Sequence, residues 1–278
     1  MIKSFFIRTS SILLLACTSI VLNAQTKFTD DNWETAKTRA VAENKILLVD
    51  LYFQGCAACA QMDEEVFPNE TISKELNKGF INFKSDITKD EIGKKLCLKY
   101  GVTGFPTFLF MNGEGKIIDI ISGYQSFEEL SNSIAIVKEN ASKAIFKKFS
   151  NQNETYPEFY SKAYLEGKRD VSFAVVDDYL KSQKDIFSEV PFVVITGLKV
   201  GGKYDDLFLE NAKKLTADYS QMQVSYHVIS ILRRKAEQFA EKKDLEAYKK
   251  LLVEIQPVFT YQQWQNFEPM FLKEYEMS

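Results

Sequence analysis

Two cysteines, Cys56 and Cys59, have the spacing that thiol–disulfide chemistry uses. In a Cys-x-x-Cys pair one thiolate can attack a substrate disulfide, and the second thiol can then resolve the mixed disulfide. The same spacing supplies half of many zinc sites, which need a second pair of ligands. For that pair the chain after residue 24 offers only Cys97 and the single histidine, His227, both far away in sequence. The pair therefore favours redox chemistry, and we expect neither a metal nor another cofactor.

The residues before this pair predict the elements that position it. A run of aliphatic and β-branched residues from Lys45 onward is typical of a buried strand, and it turns into a helix start at the cysteines. Unpaired N–H groups and the helix macrodipole stabilise a thiolate in the first turn of a helix. Cys56 is therefore the predicted nucleophile, and Cys59 is the predicted resolving thiol.

The segment Val-Asp-Leu-Tyr-Phe-Gln-Gly-Cys-Ala-Ala-Cys resembles the strand and active-site turn of thioredoxin-like proteins. In that family an acid at the position of Asp50 takes and returns the proton of the second cysteine. The resemblance thus implies a catalytic role for Asp50. The role is physically sensible, because a desolvated carboxylate has a raised pKa and can serve as a base near neutral pH. The alternative is a strand-end aspartate that faces solvent.

A second segment, Gly-Phe-Pro-Thr followed by a hairpin, resembles the cis-proline strand of the same family. The resemblance implies that Pro106 is cis and lies across from the dithiol. It also implies that substrate contacts Phe105, Pro106 and the turn at Gly55. A hairpin is predicted from Phe108 to Ile121, with its turn in Asn-Gly-Glu-Gly.

The resemblance covers residues 30–138 and implies an α/β thioredoxin fold, a central mixed sheet flanked by helices. It is strongest to the secreted branch that includes the C-terminal domain of the bacterial transmembrane reductase DsbD. The chain departs from the usual pattern, because Gly55 stands where the family has tryptophan and Ala57-Ala58 replace Gly-Pro. The turn also contains no basic residue to lower the thiol pKa, so we expect a pair that leans toward reduction or isomerisation.

The first 24 residues have the basic start, short apolar run and small final residue of a signal peptide, with cleavage before Gln25. This predicts a periplasmic or secreted protein. The alternative is a lipoprotein anchored through Cys17. After cleavage three cysteines remain, an odd number that excludes a closed disulfide framework. A net charge of −3 without a basic stripe argues against nucleic acid as a partner.

Strand signals largely stop after the hairpin, and residues 143–278 are predicted to form an all-helical domain that follows a thioredoxin-like domain at 25–142. Each half is expected to have its own core. Three Asp-containing turns near Gly167, Gly202 and Lys243 recur at a spacing typical of stacked helical hairpins such as tetratricopeptide-like repeats. An irregular bundle is the alternative. An aromatic stripe from Tyr261 to Tyr275 predicts a terminal helix with one packed face.

Two functions fit these features. The first is a protein-disulfide reductase or isomerase acting on disulfide-containing exported proteins and re-reduced by a membrane electron donor. Its helical half would then serve for self-association or for holding clients. The second is a redox-sensitive binding or scaffold protein whose helical half recognises a partner. A scaffold has no need of both cysteines together with Asp50 and Pro106, which favours the first.

Overall fold

The structure is a computed structural model that describes residues 25–278. The predicted signal peptide and the alternative lipid attachment at Cys17 concern residues 1–24, which lie outside the described residues. Within residues 25–278 no helix combines the length and hydropathy needed to cross a lipid bilayer.

Up to residue 142 the chain alternates helices and strands, as predicted. The strands of this half are β1 (Ile46–Tyr52), β2 (Phe80–Asp86), β3 (Thr107–Met111) and β4 (Ile117–Ser122). The helices are α1 (Trp33–Ala42), α2 (Ala57–Gln61), α3 (Glu70–Gly79), α4 (Glu91–Tyr100) and α5 (Phe127–Ser142). A π-helical turn, Met62–Val66, continues α2.

The strands form one mixed sheet in the order β2-β1-β3-β4. The central β1 pairs in parallel with β2 and antiparallel with β3, and β3 and β4 form the predicted hairpin. This sheet with helices on both faces is a thioredoxin fold, which confirms the predicted class. The register places Asp50 of β1 between Lys84 of β2 and Phe108 of β3.

The rest of the chain is mostly helical, which also confirms the prediction. Its helices are α6 (Glu158–Leu165), α7 (Phe173–Lys181), α8 (Glu189–Gly197), α9 (Tyr204–Asp218), α10 (Gln221–Glu241), α11 (Leu245–Ile255) and α12 (Tyr261–Met277). In α12 Trp264 and Phe271 are buried, but Tyr261 is exposed, so the predicted stripe starts one turn later. Helical repeats and the domain boundary at 142 stay predictions.

The two faces of the sheet are covered by different parts of the chain. On one face, side chains such as Leu48 and Phe110 pack against α3 and α5. On the other face, Leu109 and Ile120 belong to a cluster of buried side chains that runs on into α8, α10 and α12. The two halves therefore share a core, and the expectation of two separate cores is wrong. The physical reason is that α1 and α4 leave the β4 side of this face uncovered, and α10 packs there.

Buried hydrogen bonds join the halves at the same place. The Tyr160 hydroxyl donates to the Leu98 carbonyl at 2.8 Å, and the Ser220 hydroxyl donates to the Ile120 carbonyl at 2.8 Å. The Gln223 side-chain amide donates to the Tyr100 carbonyl. These bonds satisfy carbonyl groups at the end of α4 and on β4 that water cannot reach.

We predict that Tyr160→Phe lowers the free energy of unfolding by about 1–2 kcal/mol, because it removes a buried donor from the Leu98 carbonyl. We also predict that both halves unfold in a single transition, since they share one core. Urea titration followed by circular dichroism measures both quantities. The control is Tyr261→Phe, where the ring is 79% exposed. Two transitions, only one of them shifted by Tyr160→Phe, would show that the halves unfold separately.

Candidate active site

Cys56 stands immediately before the first turn of α2 and is its N-cap residue. Its sulfur accepts a hydrogen bond from the backbone N–H of Cys59 at 3.2 Å, so a donor that would otherwise be unpaired points at the sulfur. The two cysteines are joined as a disulfide. In this form Cys56 is 8% exposed and Cys59 is 4% exposed. The predicted dithiol is thus assembled, with Cys56 slightly nearer the solvent.

Gly55 leaves the approach to Cys56 open. It is exposed, and apart from its two chain neighbours no atom of the described residues lies within 4 Å of the position that a Cβ would occupy. Its φ of 95° lies in the region that L-amino acids with side chains rarely adopt. The backbone of this turn therefore favours glycine, and no side chain at this position shields the disulfide.

An aromatic contact connects the dithiol turn with the loop before Pro106. The Phe53 carbonyl accepts a hydrogen bond from the Cys56 N–H at 3.2 Å, and the Phe53 and Phe105 rings meet edge to face with centroids 5.4 Å apart. The Phe105–Pro106 peptide bond is cis. The structure therefore brings Phe105, predicted from sequence, into contact with the segment that carries Cys56.

The loop before Pro106 keeps backbone groups free. Within residues 25–278 the N–H and carbonyl groups of Thr103 and Phe105 make no hydrogen bond to the protein. Thr103 is exposed and Phe105 is half-buried. Free donors and acceptors on an extended loop can pair with an added strand, as an open sheet edge does.

Asp50 is buried, with 2% of its surface exposed, so it is not the solvent-facing aspartate of the alternative interpretation. Burial raises the pKa of its carboxyl to about 6, although the Lys84 ammonium 3.2 Å away opposes the rise. Oδ2 pairs with Lys84, whereas Oδ1 has no hydrogen-bond partner in the described residues. Asp50 is therefore a buried acid able to change protonation near neutral pH.

Lys84 is a further residue of this site, and it was not predicted from the sequence. Its Nζ lies 3.2 Å from Asp50 and 2.5 Å from Asp63, and it stands 4.7 Å from the centre of the Tyr52 ring. The signal that could have indicated it is a lysine directly after the apolar-rich run Phe80–Phe83, because an ammonium that is partly buried in a strand requires a carboxylate partner. Lys84 holds Asp50 in place and limits the rise of its pKa.

Known proteins resemble this part of the chain. A profile of the thioredoxin-like domain matches residues 33–138, the segment that contains the sheet, Asp50, the cysteines and Pro106. Residues 33–138 form a thioredoxin-like domain. Among curated relatives, the thiol:disulfide interchange protein DsbD of Yersinia pestis is 26% identical over 106 residues, which are 36% of this chain and 18% of that protein. DsbD of Klebsiella pneumoniae is 32% identical over 84 residues, 30% of this chain and 14% of that protein. The chain thus matches less than a fifth of these relatives.

Solved structures also resemble part of this chain. One of them is the solution structure of a Bacteroides thetaiotaomicron protein provisionally assigned as a disulphide-isomerase, 31% identical to this chain. The match covers 41% of this chain and 94% of that protein, with a TM-score of 0.39.

The remaining cysteine and the histidine lie apart from the dithiol. Cys97 is buried in the core at the end of α4, as predicted, and burial raises the pKa of its thiol to about 12. His227 is buried on α10 with its ring edge against Phe208, and burial lowers its pKa to about 3. Within residues 25–278 no three His, Cys, Asp or Glu side chains are grouped as metal ligands.

Proposed function

We propose that the chain is a thiol–disulfide oxidoreductase that acts on polypeptide disulfides through Cys56 and Cys59. The observation that carries the proposal is the position of Cys56 at the start of α2, where the Cys59 N–H points at its sulfur. A donor in this position stabilises a thiolate more than a thiol, which lowers the thiol pKa. Cys56 is therefore the nucleophile.

The first step forms a mixed disulfide. The Cys56 thiolate attacks one sulfur of the substrate, a bond forms between them, and the other substrate sulfur leaves as a thiolate. The open approach at Gly55 gives a bulky polypeptide disulfide room to reach the sulfur. The free backbone groups of Thr103 and Phe105 hold the substrate chain as an added strand beside the dithiol.

The second step resolves the mixed disulfide. Asp50 takes the proton of Cys59, and the resulting thiolate attacks the Cys56 sulfur. The Cys56–Cys59 disulfide forms, and the second substrate sulfur leaves and is protonated. The substrate thus gains two electrons, which the dithiol loses. A carboxyl whose pKa is about 6 is well matched to this transfer, because it is ionised at neutral pH and can be protonated at low cost.

We further propose that the clients are exported proteins and that a membrane protein returns the dithiol to its reduced form. The apolar start of the sequence and the likeness of the thioredoxin-like domain to part of DsbD support this proposal. The periplasm is the compartment that fits, because disulfides persist in oxidising surroundings.

The direction of the reaction is proposed to be reduction or isomerisation. The helical segment that follows Cys56 carries acidic side chains, Asp63, Glu64 and Glu65, and no basic one, so only backbone N–H groups favour the thiolate. When the thiolate is only moderately stabilised, the disulfide form is more stable, relative to the dithiol, than in a strongly oxidising pair. The pair is therefore a better reductant than the strongly oxidising dithiols.

The test is the midpoint potential of the Cys56–Cys59 couple. The protein is equilibrated in glutathione redox buffers, the free thiols are alkylated, and the two forms are counted by mass spectrometry. We expect a two-electron transition nearer to about −270 mV than to about −120 mV, the values of thioredoxin and of the strong oxidant DsbA. A potential near −120 mV would reverse the proposed direction. No exchange with glutathione at any potential would rule out the oxidoreductase function.

A further inference from the structure

A small cleft lies beside the loop that precedes Pro106, where the thioredoxin-like domain meets the helical half. It runs between that loop and helices α8 and α10, and its lining includes Thr103, Gly104, Ser122, Lys199 and Tyr226. The first three belong to the thioredoxin-like domain, and the last two come from the helical half. The helical half therefore reaches the edge of the candidate active site.

Tyr226 of α10 is the aromatic side chain at the mouth of this cleft. Its ring is 39% exposed, and its hydroxyl lies 3.5 Å from the Ser122 carbonyl at the end of β4. The same hydroxyl lies 3.2 Å from the position that a Cβ on Gly123 would occupy. The Gly123 N–H donates to the Pro106 carbonyl at 2.7 Å. Tyr226 is thus held against the residues that support Pro106.

Tyr226 lies close to the loop with which an added strand could pair, because Thr103 and Tyr226 line the same cleft. The free backbone groups belong to Phe105, whose ring touches the dithiol segment, and to Thr103, which lines the cleft. A polypeptide that is bonded to Cys56 and paired with Phe105 and Thr103 would therefore reach the cleft that Thr103 and Tyr226 line together. A small disulfide offers no chain that could extend to this cleft.

We propose that Tyr226 is a specificity-determining residue that binds the chain flanking the reactive cysteine of an extended polypeptide substrate. This inference rests on the proposed function. An aromatic ring at the end of a strand-binding surface suits this role, because it offers a large contact area at little cost in conformational entropy. The helical half is then part of the substrate-binding surface, and the substrate class is a polypeptide disulfide with several residues on either side of the cysteine.

The test compares two disulfides on the full-length mature chain. One is a nonapeptide dimer linked through its central cysteines, and the other is bis(2-hydroxyethyl) disulfide. For each we measure kcat/KM for reduction and form the ratio of peptide to small disulfide. We expect Tyr226→Ala to lower this ratio about tenfold, the effect of losing one good anchor, with the loss mainly in the KM for the peptide. The control, Tyr261→Ala, removes a tyrosine that is 79% exposed on α12 and should keep the wild-type ratio.

Tyr226→Leu keeps an apolar side chain in the same place and should lower the ratio about fivefold. This variant tests the role of Tyr226 if the alanine variant does not fold. Circular dichroism checks that each variant is folded. Equal loss on both substrates, or no change in the ratio, would overturn the role of Tyr226 and leave the proposed function intact. A wild-type protein that reduces neither disulfide would overturn the proposed function and this inference with it.

Discussion

Cys56→Ser is expected to lower the protein-catalysed rate of insulin reduction by dithiothreitol by at least about a thousandfold relative to the wild type. Only the uncatalysed reaction with dithiothreitol then remains. The serine hydroxyl remains protonated at neutral pH and cannot attack a disulfide. We expect Cys59 not to replace it, because the backbone N–H at the start of α2 points at the Cys56 sulfur, and Cys59 is also the less exposed of the two residues. The matched control is Cys97→Ala, which removes a buried thiol away from the dithiol and should leave insulin reduction near the wild-type rate.

Cys59→Ser should behave differently, since it keeps the proposed nucleophile, Cys56, and removes the proposed resolving thiol. Incubation with an oxidised peptide is expected to leave a stable mixed disulfide at Cys56, visible by mass spectrometry and released by dithiothreitol. If Cys56→Ser still reduces insulin, the assignment of the nucleophile is wrong. If the wild-type protein is inactive and Cys59→Ser traps nothing, the binding or scaffold alternative gains support.

Asp50→Asn is expected to raise the free energy of unfolding of the oxidised protein at pH 8. The same substitution is expected to slow thiol–disulfide exchange. In the folded protein burial raises the pKa of Asp50 from 3.8 to about 6, so the ionised carboxylate is less favourable there than in the unfolded chain. At about 1.4 kcal/mol per pKa unit, this difference costs about 3 kcal/mol of stability at high pH. Asparagine has nearly the same shape and carries no charge, and Lys84 keeps its contact with Asp63.

The sign of the pH dependence follows from the same values. Below pH 3.8 the carboxyl is protonated in both the folded and the unfolded chain, so the wild type and the Asp50→Asn variant differ little in stability. Between pH 3.8 and about 6 the unfolded chain loses its proton first, and the wild type loses stability relative to Asp50→Asn. Above about pH 6 the difference is constant. Urea titrations of both oxidised proteins at pH 4 and pH 8 measure it.

Asp50→Asn is expected to slow the reaction even though it stabilises the folded protein. Without the carboxylate, Cys59 loses the base that we propose for it, and we expect the resolving step to slow by about a hundredfold at pH 7. Stopped-flow measurement of peptide disulfide reduction by the pre-reduced protein reports this rate. Asp119→Asn is the matched control, because Asp119 on β4 also has a pKa raised by burial but lies next to Lys147 instead of Lys84. It should change stability in the same direction and leave exchange unaffected.

The effect on stability and the effect on the resolving rate are tested independently. An equal stability difference at pH 4 and pH 8 would show that the Asp50 carboxyl does not titrate between them. An unchanged rate of resolution in Asp50→Asn would show that another group takes the proton of Cys59. Loss of rate in both aspartate variants would point to a general effect of altered stability.

The sequence by itself determined the features that depend on neighbouring residues. A cysteine pair at the junction of strand and helix, an acid six residues before it, and a proline before a hairpin are local patterns, and each was found where it was predicted. Helical spacing in the second half is local as well, because side chains that share a helix face are three or four residues apart.

Tertiary structure alone decided which distant residues meet. Lys84 reaches Asp50 only because β2 pairs in parallel with β1. A local sequence pattern does not indicate which strand pairs in parallel with another. The shared core was not predicted either. The apolar residues of β3 and β4 show that this face of the sheet is buried, but not whether the helices that pack on it belong to the same half of the chain. Tyr226 lies beside Ser122 and Gly123 because α10 packs on β4 and covers that face of the sheet. Local patterns thus predicted the dithiol and its acid, whereas long-range packing determined what surrounds them.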